Sequence, residues 1–193
     1  RQMCIRDSID IETKNDKSGI DIYIRPGTKN ESVHIPVILD KNGLKEKVYN
    51  DFHIGEGADV VIVAGCGIHC GGADDMQHDG IHTFYVEKNA RVKYIEKHYG
   101  EGDGNGKRVL NPETVIYLAE GAYMEMEATQ IKGVDSTVRV TKAKVGDNAK
   151  LVIHEKIMTH GNQLAKTDFI VDLDGENSAA NVVSRSVAKD NSK

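Results

Sequence analysis

The sequence predicts an all-β protein, a parallel β-helix (β-solenoid), from a pattern that recurs along the chain. The four clearest windows read FHIGEGADVVIVA, FYVEKNARVKYIE, IYLAEGAYMEMEA and AKVGDNAKLVIHE. Apolar and polar residues alternate around the middle of each window, which is the period of strands and not of helices. A unit of strand, tight turn and strand cannot bury a face alone, so its repetition is typical of a solenoid.

The turns set the register of the repeat. The windows follow one another at 32, 32 and 27 residues, counted between Ala58, Ala90, Ala122 and Ala149. The residue before each of these alanines is Gly or Asn, the two types that most readily accept a left-handed backbone. These turn residues are Gly57, Asn89, Gly121 and Asn148. We therefore expect one tight, left-handed turn in each repeat.

The strands beside each turn indicate which side chains face inward. The positions four before, two after and four after the reference alanine are apolar in all four repeats. We expect these side chains to line one continuous core: Ile54, Val86, Leu118, Val145, Val60, Val92, Met124, Leu151, Ile62, Tyr94, Met126 and Ile153. A fifth, weaker copy of the turn at residues 177–178 places Ala180 and Val182 inward.

Two observations leave alternatives open. The segment LKEKVYNDF, near residue 44, has a pattern that is compatible with a short helix. The hairpins of an antiparallel sandwich also repeat turn signals, so a sandwich is the competing architecture.

Composition and charge exclude several classes of partner. The net charge is -5, and no basic block is present that could bind a phosphate backbone, so we expect no nucleic-acid partner. No apolar run approaches the roughly 20 residues that cross a bilayer, and no signal-peptide pattern is present. We expect no membrane partner and a cytoplasmic location. Three cysteines, Cys4, Cys66 and Cys70, are too few for a disulfide framework.

The two ends of the chain bear on its domain organisation. Residues 1–8, RQMCIRDS, resemble a translated sequencing adapter, so we interpret them as a non-native segment. Residues 9–193 are interpreted as one β-helix core. Because the chain ends in polar residues after a strand pattern, SRSVAKDNSK, we expect that the C-terminal part of the natural protein is missing.

A cluster of thiols and imidazoles follows the first strong strand. Five candidate metal ligands fall within 17 residues: Cys66, His69, Cys70, His78 and His82. Thiolate and imidazole suit zinc, Fe(II) and iron–sulfur clusters. The spacing is C-x3-C, however, and not the C-x2-C of most zinc knuckles. The structural alternative is that Cys66 is a small buried residue and that the neighbouring glycines only shape a corner of the solenoid.

Other polar segments carry weaker signals. Asp74, Asp75 and Asp79 could bind a cation, but their spacing is not that of an EF-hand. The run EKHYGEGDGNGKR, residues 96–108, lacks the order of a phosphate-binding loop and predicts a mobile loop. His154 and Glu155 have no nucleophile beside them and are interpreted as the polar end of a strand.

Several long segments, taken in order, resemble a known family. VHIPVIL, YNDFHIGEGADVVIVAGCGIH, QHDGIHTFYVEKNARVKYIEKHYGEG and NPETVIYLAEGAYMEMEATQIKGVDST are similar to the core domain of the SufB/SufD iron–sulfur cluster assembly proteins. The resemblance covers residues 20–193 and implies a right-handed parallel β-helix. It also implies a non-enzymatic scaffold for a transient iron–sulfur cluster, a SufC-type ATPase partner that carries the hydrolysis, and a second SufB/SufD-like subunit, identical or different.

The resemblance does not supply cluster ligands. In larger members of the family an essential cysteine and an ATPase-docking helix lie toward the C-terminus, and neither has a match in this sequence. The five candidate metal ligands therefore rest on their chemistry alone.

Two other functions compete with the scaffold. Parallel β-helices also act on polysaccharides, but sugar grooves need aromatic platforms. This chain has no Trp and three Phe, and its tyrosines are spread singly along the sequence. A purely structural, metal-binding β-solenoid is the third candidate.

Overall fold

The structure, a computed structural model, describes residues 8–193, and all regular secondary structure in that range is β-strand. Cys4 and nearly all of the segment 1–8 lie outside the described residues. The strands are β1 (Ile9–Thr13), β2 (Gly19–Ile24), β3 (Lys29–Leu39), β4 (Lys45–Ile54), β5 (Asp59–His69), β6 (Met76–Val86), β7 (Arg91–Glu101), β8 (Arg108–Leu110), β9 (Glu113–Leu118), β10 (Tyr123–Lys132), β11 (Ser136–Val145), β12 (Lys150–Thr159), β13 (Leu164–Leu173) and β14 (Ala179–Ala188).

The strands alternate between two facing sheets. Sheet A has the order β1-β2-β4-β6-β8-β11-β13, with β9 also paired between β6 and β11. Sheet B has the order β3-β5-β7-β10-β12-β14. Apart from the antiparallel pair β1–β2, every strand pairing in this range is parallel. The chain thus winds through about six turns as a parallel β-solenoid, which confirms the predicted fold class.

The pairing register reproduces the sequence repeat. Asp59 pairs with Arg91, Arg91 with Tyr123, and Tyr123 with Lys150, so neighbouring turns are offset by 32, 32 and 27 residues. The predicted turn residues are left-handed, with φ between 55° and 67°. The pairing register of the fifth copy is also confirmed, since Ala180 and Val182 pair with Leu151 and Ile153. Both side chains are exposed, however, so they do not extend the buried core.

The predicted core is confirmed residue by residue. None of the twelve inward side chains is more than 4% exposed, and all twelve belong to one hydrophobic cluster. A second, smaller cluster lies at the other corner of the solenoid and includes Leu39, Ile68, Met76 and Leu110. Buried polar and charged side chains lie between these two clusters.

The segment LKEKVYNDF is a strand, so its interpretation as a short helix is wrong. Residues 45–54 form β4, which pairs with β2 on one side and β6 on the other. Asn50, Phe52 and Ile54 alternate inward, at 6% exposure or less. Two parallel neighbours decide the conformation here, because a short pattern does not distinguish helix from strand by itself.

The glycine-rich run is not a loop along its whole length, so the prediction of a loop is wrong for its first part. Its first part belongs to β7, and residues 102–107 stack on the corner loop at 70–75. The amide of Gly104 donates to the carbonyl of Cys70 at 2.9 Å, and that of Gly106 to the carbonyl of Gly72 at 3.1 Å. A Cβ on Gly104 would lie 2.2 Å from the carbonyl oxygen of Gly72. The glycines therefore allow two backbones to touch.

We expect Gly104→Ala to destabilise the protein by about 1–3 kcal/mol, because the new methyl group would force this corner apart. Gly71→Ala is the matched control, since a Cβ there meets no atom within 4 Å and the residue has no left-handed φ. Thermal unfolding measures both. Equal melting temperatures for the two variants would contradict the close packing of the corner.

Candidate functional site

A polar layer lies inside the solenoid where sheet B continues beyond the apolar core. Six residues after each reference alanine the inward side chains are Ala64, Glu96, Ala128 and Glu155, which pair across neighbouring strands. Eight residues after it they are Cys66, His98, Gln130 and Ile157. All eight residues are buried. The fold therefore encloses carboxylates, an imidazole and a thiol between its two hydrophobic clusters.

Arg139, from sheet A, forms the centre of this layer. Its side chain is 4% exposed, and its guanidinium donates to carboxylate oxygens of Glu96 and Glu155, the latter at 3.2 Å. It also donates to Nδ1 of His98 at 2.9 Å. Thr167 donates to the same oxygen of Glu155, Oε2, at 3.3 Å, and Ser184 donates to the other oxygen, Oε1, at 2.8 Å. One buried guanidinium therefore pairs with two buried carboxylates. These three side chains together carry a net charge of −1.

A hydrogen-bonded chain runs from this cluster toward sheet A. The hydroxyl of Tyr94 donates to Oε1 of Glu96 at 3.0 Å. Nδ1 of His82 lies 2.6 Å from the same hydroxyl, whose one proton is already used, so Nδ1–H of His82 is the donor. Nε2 of His82 then carries the lone pair, and it accepts from Asn50 Nδ2 at a distance of 3.3 Å.

His78 is held in a similar way on the same strand. Its Nδ1 lies 2.7 Å from Oε1 of Glu46, so the ring donates to a carboxylate and its Nε2 keeps a lone pair. Gly80 lies between His78 and His82 on β6. A Cβ at residue 80 would lie 3.2 Å from Nε2 of His78 and 3.7 Å from Nε2 of His82. Both nitrogens therefore border the space that a side chain at residue 80 would fill.

These groups border an interior cavity of about 20 Å³, which is room for one water molecule or one small ion. Pro112, in the break between β8 and β9, contributes to its wall beside Gly80. The polar lining residues are Asn50, Cys66, His78, His82, Glu96 and His98. We call this space the interior cavity.

Burial and negative charge shift the pKa values around the interior cavity. Burial raises the pKa of the Cys66 thiol to about 12, and the carboxylates of Glu46 and Glu96 add to the rise. Burial lowers the pKa of His98 to about 4 and also lowers that of His82. Burial opposes ionisation of Glu96 too, but Arg139 and His98, which is protonated at the low pH where Glu96 titrates, outweigh it and lower the pKa of Glu96 to about 2. At neutral pH the cavity therefore contains a protonated thiol, neutral His82 and His98, and a carboxylate.

The structure separates the five candidate metal ligands into two groups. Cys66, His78 and His82 border the interior cavity. His69 is half exposed outside it, with Nδ1 3.4 Å from Glu101. Cys70 is buried at the corner, with its Sγ 3.7 Å from the carbonyl oxygen of Gly72. Within residues 8–193 no group of three or more His, Cys, Asp or Glu side chains stands in a geometry that could hold a metal ion. Metal binding by the candidate residues remains a prediction.

The three aspartates proposed for a cation have other partners. Asp74 accepts from Asn42 at 2.7 Å, and Asp75 from the amide of Lys107 at 2.8 Å. Asp79 accepts from Gln77 and from Asn111 at 3.0 Å each. Except for the bond between Gln77 and Asp79, which lies within β6, these hydrogen bonds join adjacent turns of the solenoid.

The sequence analysis did not predict the Arg139 cluster, although the residues that sheet B contributes to it could have been predicted. Continuing the inward period from four to six and eight residues beyond the alanine would have placed Glu96, Glu155 and His98 inside. His154 and Glu155 were interpreted together as a polar strand end. His154 is indeed exposed, but Glu155 is 3% exposed and bound to Arg139.

The tyrosines are not isolated in space. Tyr23, His53, Tyr85 and Tyr117 stack on the outer face of sheet A, with ring centroids 4.6, 5.1 and 5.4 Å apart. The repeat brings residues about 32 apart into contact, which a linear reading of the chain does not show. Because these rings cover one another's faces, the ladder does not offer the open platforms that a sugar-binding groove needs.

Fold and site together define a parallel β-solenoid with a charged, thiol-containing interior cavity. Residues 46–193 match the family described as SUF system FeS cluster assembly, SufBD core domain. The chain belongs to this family. It is 28% identical over 177 residues to an iron–sulfur cluster assembly SufBD family protein of Archaeoglobus fulgidus, covering 90% of this chain and 46% of that protein. The chain thus spans about half the length of this relative. No solved structure matches it. Within residues 8–193 there is no helix long and apolar enough to span a membrane.

Proposed function

We propose that the chain is part of a cytoplasmic scaffold on which the SUF system assembles iron and sulfide into a cluster. It works with a SufC-type ATPase and pairs with a second SufB/SufD-like subunit. In this proposal the chain itself is not an enzyme, and ATP hydrolysis belongs to the partner. Membership of the SufBD core family supports a place in iron–sulfur cluster assembly.

The observation that carries the scaffold role is the composition of the interior cavity. Cys66, His78 and His82 supply the thiol and imidazole groups that iron and its sulfide clusters favour. They are enclosed in a rigid stack of strands, where Glu46 and Tyr94 fix the orientation of the two imidazoles. Because the cavity has room for only one small ion, assembly of a cluster there requires the site to open. In this proposal a partner that hydrolyses ATP supplies that change.

Anaerobic reconstitution tests the scaffold. We expect the 193-residue chain, incubated with Fe²⁺ and sulfide and then desalted, to retain both and to show the broad visible absorption of a thiolate-ligated cluster. We also expect the cluster to pass to an apo-ferredoxin acceptor. A desalted chain without bound iron and sulfide would refute the proposal. Release of reducing ends from a polysaccharide would instead support the enzyme alternative.

Co-purification tests the partners separately. The relative's length shows that this family also occurs in chains about twice as long, so the ATPase should be tested against both lengths. Binding of the ATPase to either one supports the partnership. Failure of both to bind would contradict it, whatever the outcome of reconstitution.

A further inference from the structure

An apolar row crosses the whole outer face of sheet B, near the ends of its strands. Each strand contributes one position, in the order Ile38 on β3, Gly67 on β5, Tyr99 on β7, Ile131 on β10, Met158 on β12 and Val187 on β14. The ring of Tyr99 covers Gly67, because a Cβ at residue 67 would lie only 2.4 Å from Cζ of that ring. The side chains of this row are 40–65% exposed. We call the row the apolar stripe.

The apolar stripe is long and narrow. It crosses six strands, so at about 4.8 Å between neighbouring strands its length is about 24 Å. The next outward positions on each strand lie about 7 Å away, and from β7 to β14 they hold polar or charged residues. An exposed apolar surface with a polar rim is typical of a contact site for another macromolecule.

Cations flank the apolar stripe on both sides over β7 to β14. Lys97, Lys156 and Arg185 stand two residues before a member of the stripe, Lys132 follows Ile131, and Lys189 stands two residues after Val187. A bulge in β10 leaves both Ile131 and Lys132 exposed. All five cations are exposed, and within residues 8–193 none of them forms an ion pair.

The carboxylates beside the apolar stripe lie toward β3 and β7. Asp40 stands two residues after Ile38, and Glu101, two residues after Tyr99, has His69 at 3.4 Å. The flanks of the stripe are therefore positive over most of its length, although the chain as a whole has a net charge of -5.

We propose that the apolar stripe is the docking site for one amphipathic α-helix of a partner protein, with acidic side chains on both flanks of its apolar face. Side chains at i, i+3, i+4 and i+7 form such a narrow apolar row on a helix. A helix of about 16 residues has the length of the stripe, and its turn of about 5.4 Å is close to the strand spacing of about 4.8 Å. Carboxylates on the helix then pair with Lys156 and Arg185 on one side and with Lys132 and Lys189 on the other.

Two other occupants fit the apolar stripe less well. A second copy of this chain would bring the same cations against one another, and like charges across an interface oppose association. An anionic membrane surface would neutralise the cations, but a stripe one residue wide buries little apolar area in a bilayer. The inference goes beyond the proposed function and does not rest on it, because it concerns the outer face of sheet B and not the interior cavity.

A designed peptide tests the docking site. The probe is a fluorescent amphipathic helix of about 16 residues, with Leu along one face and Glu on both flanks. We expect it to bind saturably, with one peptide per chain, when fluorescence anisotropy is measured. The same peptide with Lys in place of Glu should bind at least ~10-fold more weakly. A peptide of the acidic composition with Leu spread around the helix should not bind.

Substitutions in the chain locate the bound peptide. Ile131→Glu places a carboxylate in the apolar stripe and should weaken binding of the acidic peptide at least ~10-fold. Ile170→Glu is the matched control, because Ile170 lies on the outer face of sheet A and is 51% exposed, compared with 50% for Ile131. Lys156→Glu should weaken binding of the acidic peptide and strengthen binding of the Lys peptide. Lys150→Glu makes the same change of charge at the other end of β12 and should affect neither.

The outcomes separate the possible occupants. Circular dichroism and thermal unfolding establish that each variant is folded. The docking site is refuted if the acidic peptide does not bind, if Ile131→Glu and Ile170→Glu bind it equally, or if the Lys peptide binds as tightly. Phosphatidylserine vesicles that bind the unmodified chain but not Ile131→Glu would overturn the helix and assign the stripe to a membrane surface. A dimer that is lost in Ile131→Glu would overturn it in favour of a second copy.

Discussion

Ile62→Asp is expected to leave the chain largely unfolded. Ile62 is fully buried on β5, in the middle of the cluster that joins the apolar faces of both sheets. A carboxylate at this position would have to ionise without a partner or stay protonated in an apolar environment. Either state costs several kcal/mol, compared with a total stability of about 5–15 kcal/mol for a typical domain. Ile153→Asp tests the same effect three turns further along sheet B, because Ile153 is equally buried.

Val61→Asp is the matched control for Ile62→Asp. Val61 is the preceding residue on the same strand, points to the outer face and is 36% exposed. We expect this variant to keep the strand-rich circular dichroism spectrum and to melt cooperatively. Urea unfolding at 25 °C measures the stability difference. Similar unfolding free energies for the inward and the outward variant would contradict the continuous core.

The repeat allows the fold to be predicted well from sequence, because one register is specified several times. Each copy independently places Gly or Asn at a left-handed turn and apolar residues on one face. A slip by one residue would turn every apolar side chain outward. The prediction failed at LKEKVYNDF for a physical reason. The segment carries few strongly apolar residues, and only pairing with β2 and β6 makes it a strand.

Only the residues that sheet B contributes to the candidate site could be predicted from the sequence. Extending the period of sheet B identifies Cys66, Glu96, His98 and Glu155 as interior residues. The position of Arg139 opposite them depends on how sheet A is offset by the corner loops, whose lengths vary from turn to turn. The rotation of His78 and His82 toward Gly80 is likewise set by Glu46 and Tyr94, which the sequence does not connect to them.

The second large effect is expected at Arg139. Arg139→Met should cost about 3–5 kcal/mol, because it removes the cation that pairs with Glu96 and Glu155 while both carboxylates stay buried. Met has a comparable length and no charge, so the loss of packing is small. Urea unfolding measures the cost. Lys142→Met is the control, since Lys142 pairs with Glu113 on the exposed surface, and we expect no measurable change there.

The pH dependence of the unfolding free energy distinguishes the loss of charge pairing from a loss of packing. In the unmodified chain the pKa of Glu96 is lowered from 4.5 to about 2. Its contribution to stability is therefore complete above about pH 4.5 and is lost as the pH falls toward about 2. Without Arg139 the pKa of the same buried carboxyl should rise, because burial is then opposed mainly by His98, whose Nε2 lies 3.8 Å from Oε1 of Glu96. The ionised carboxylate then stabilises the variant less than the unmodified chain, so the stability difference between the two proteins should shrink toward acid pH.

Neutralising the carboxylates should restore the Arg139 variant. In the triple variant Arg139→Met, Glu96→Gln, Glu155→Gln no charge remains among these three side chains, and replacing a whole buried ion cluster is often neutral for stability. We expect the triple variant to regain most of the lost unfolding free energy at pH 7 and to lose the pH dependence that comes from Glu96. If Arg139→Met alone keeps the stability of the unmodified chain across this pH range, the two carboxylates are not held ionised by Arg139. If the triple variant stays as unstable as Arg139→Met, the loss comes from packing and not from unpaired charge.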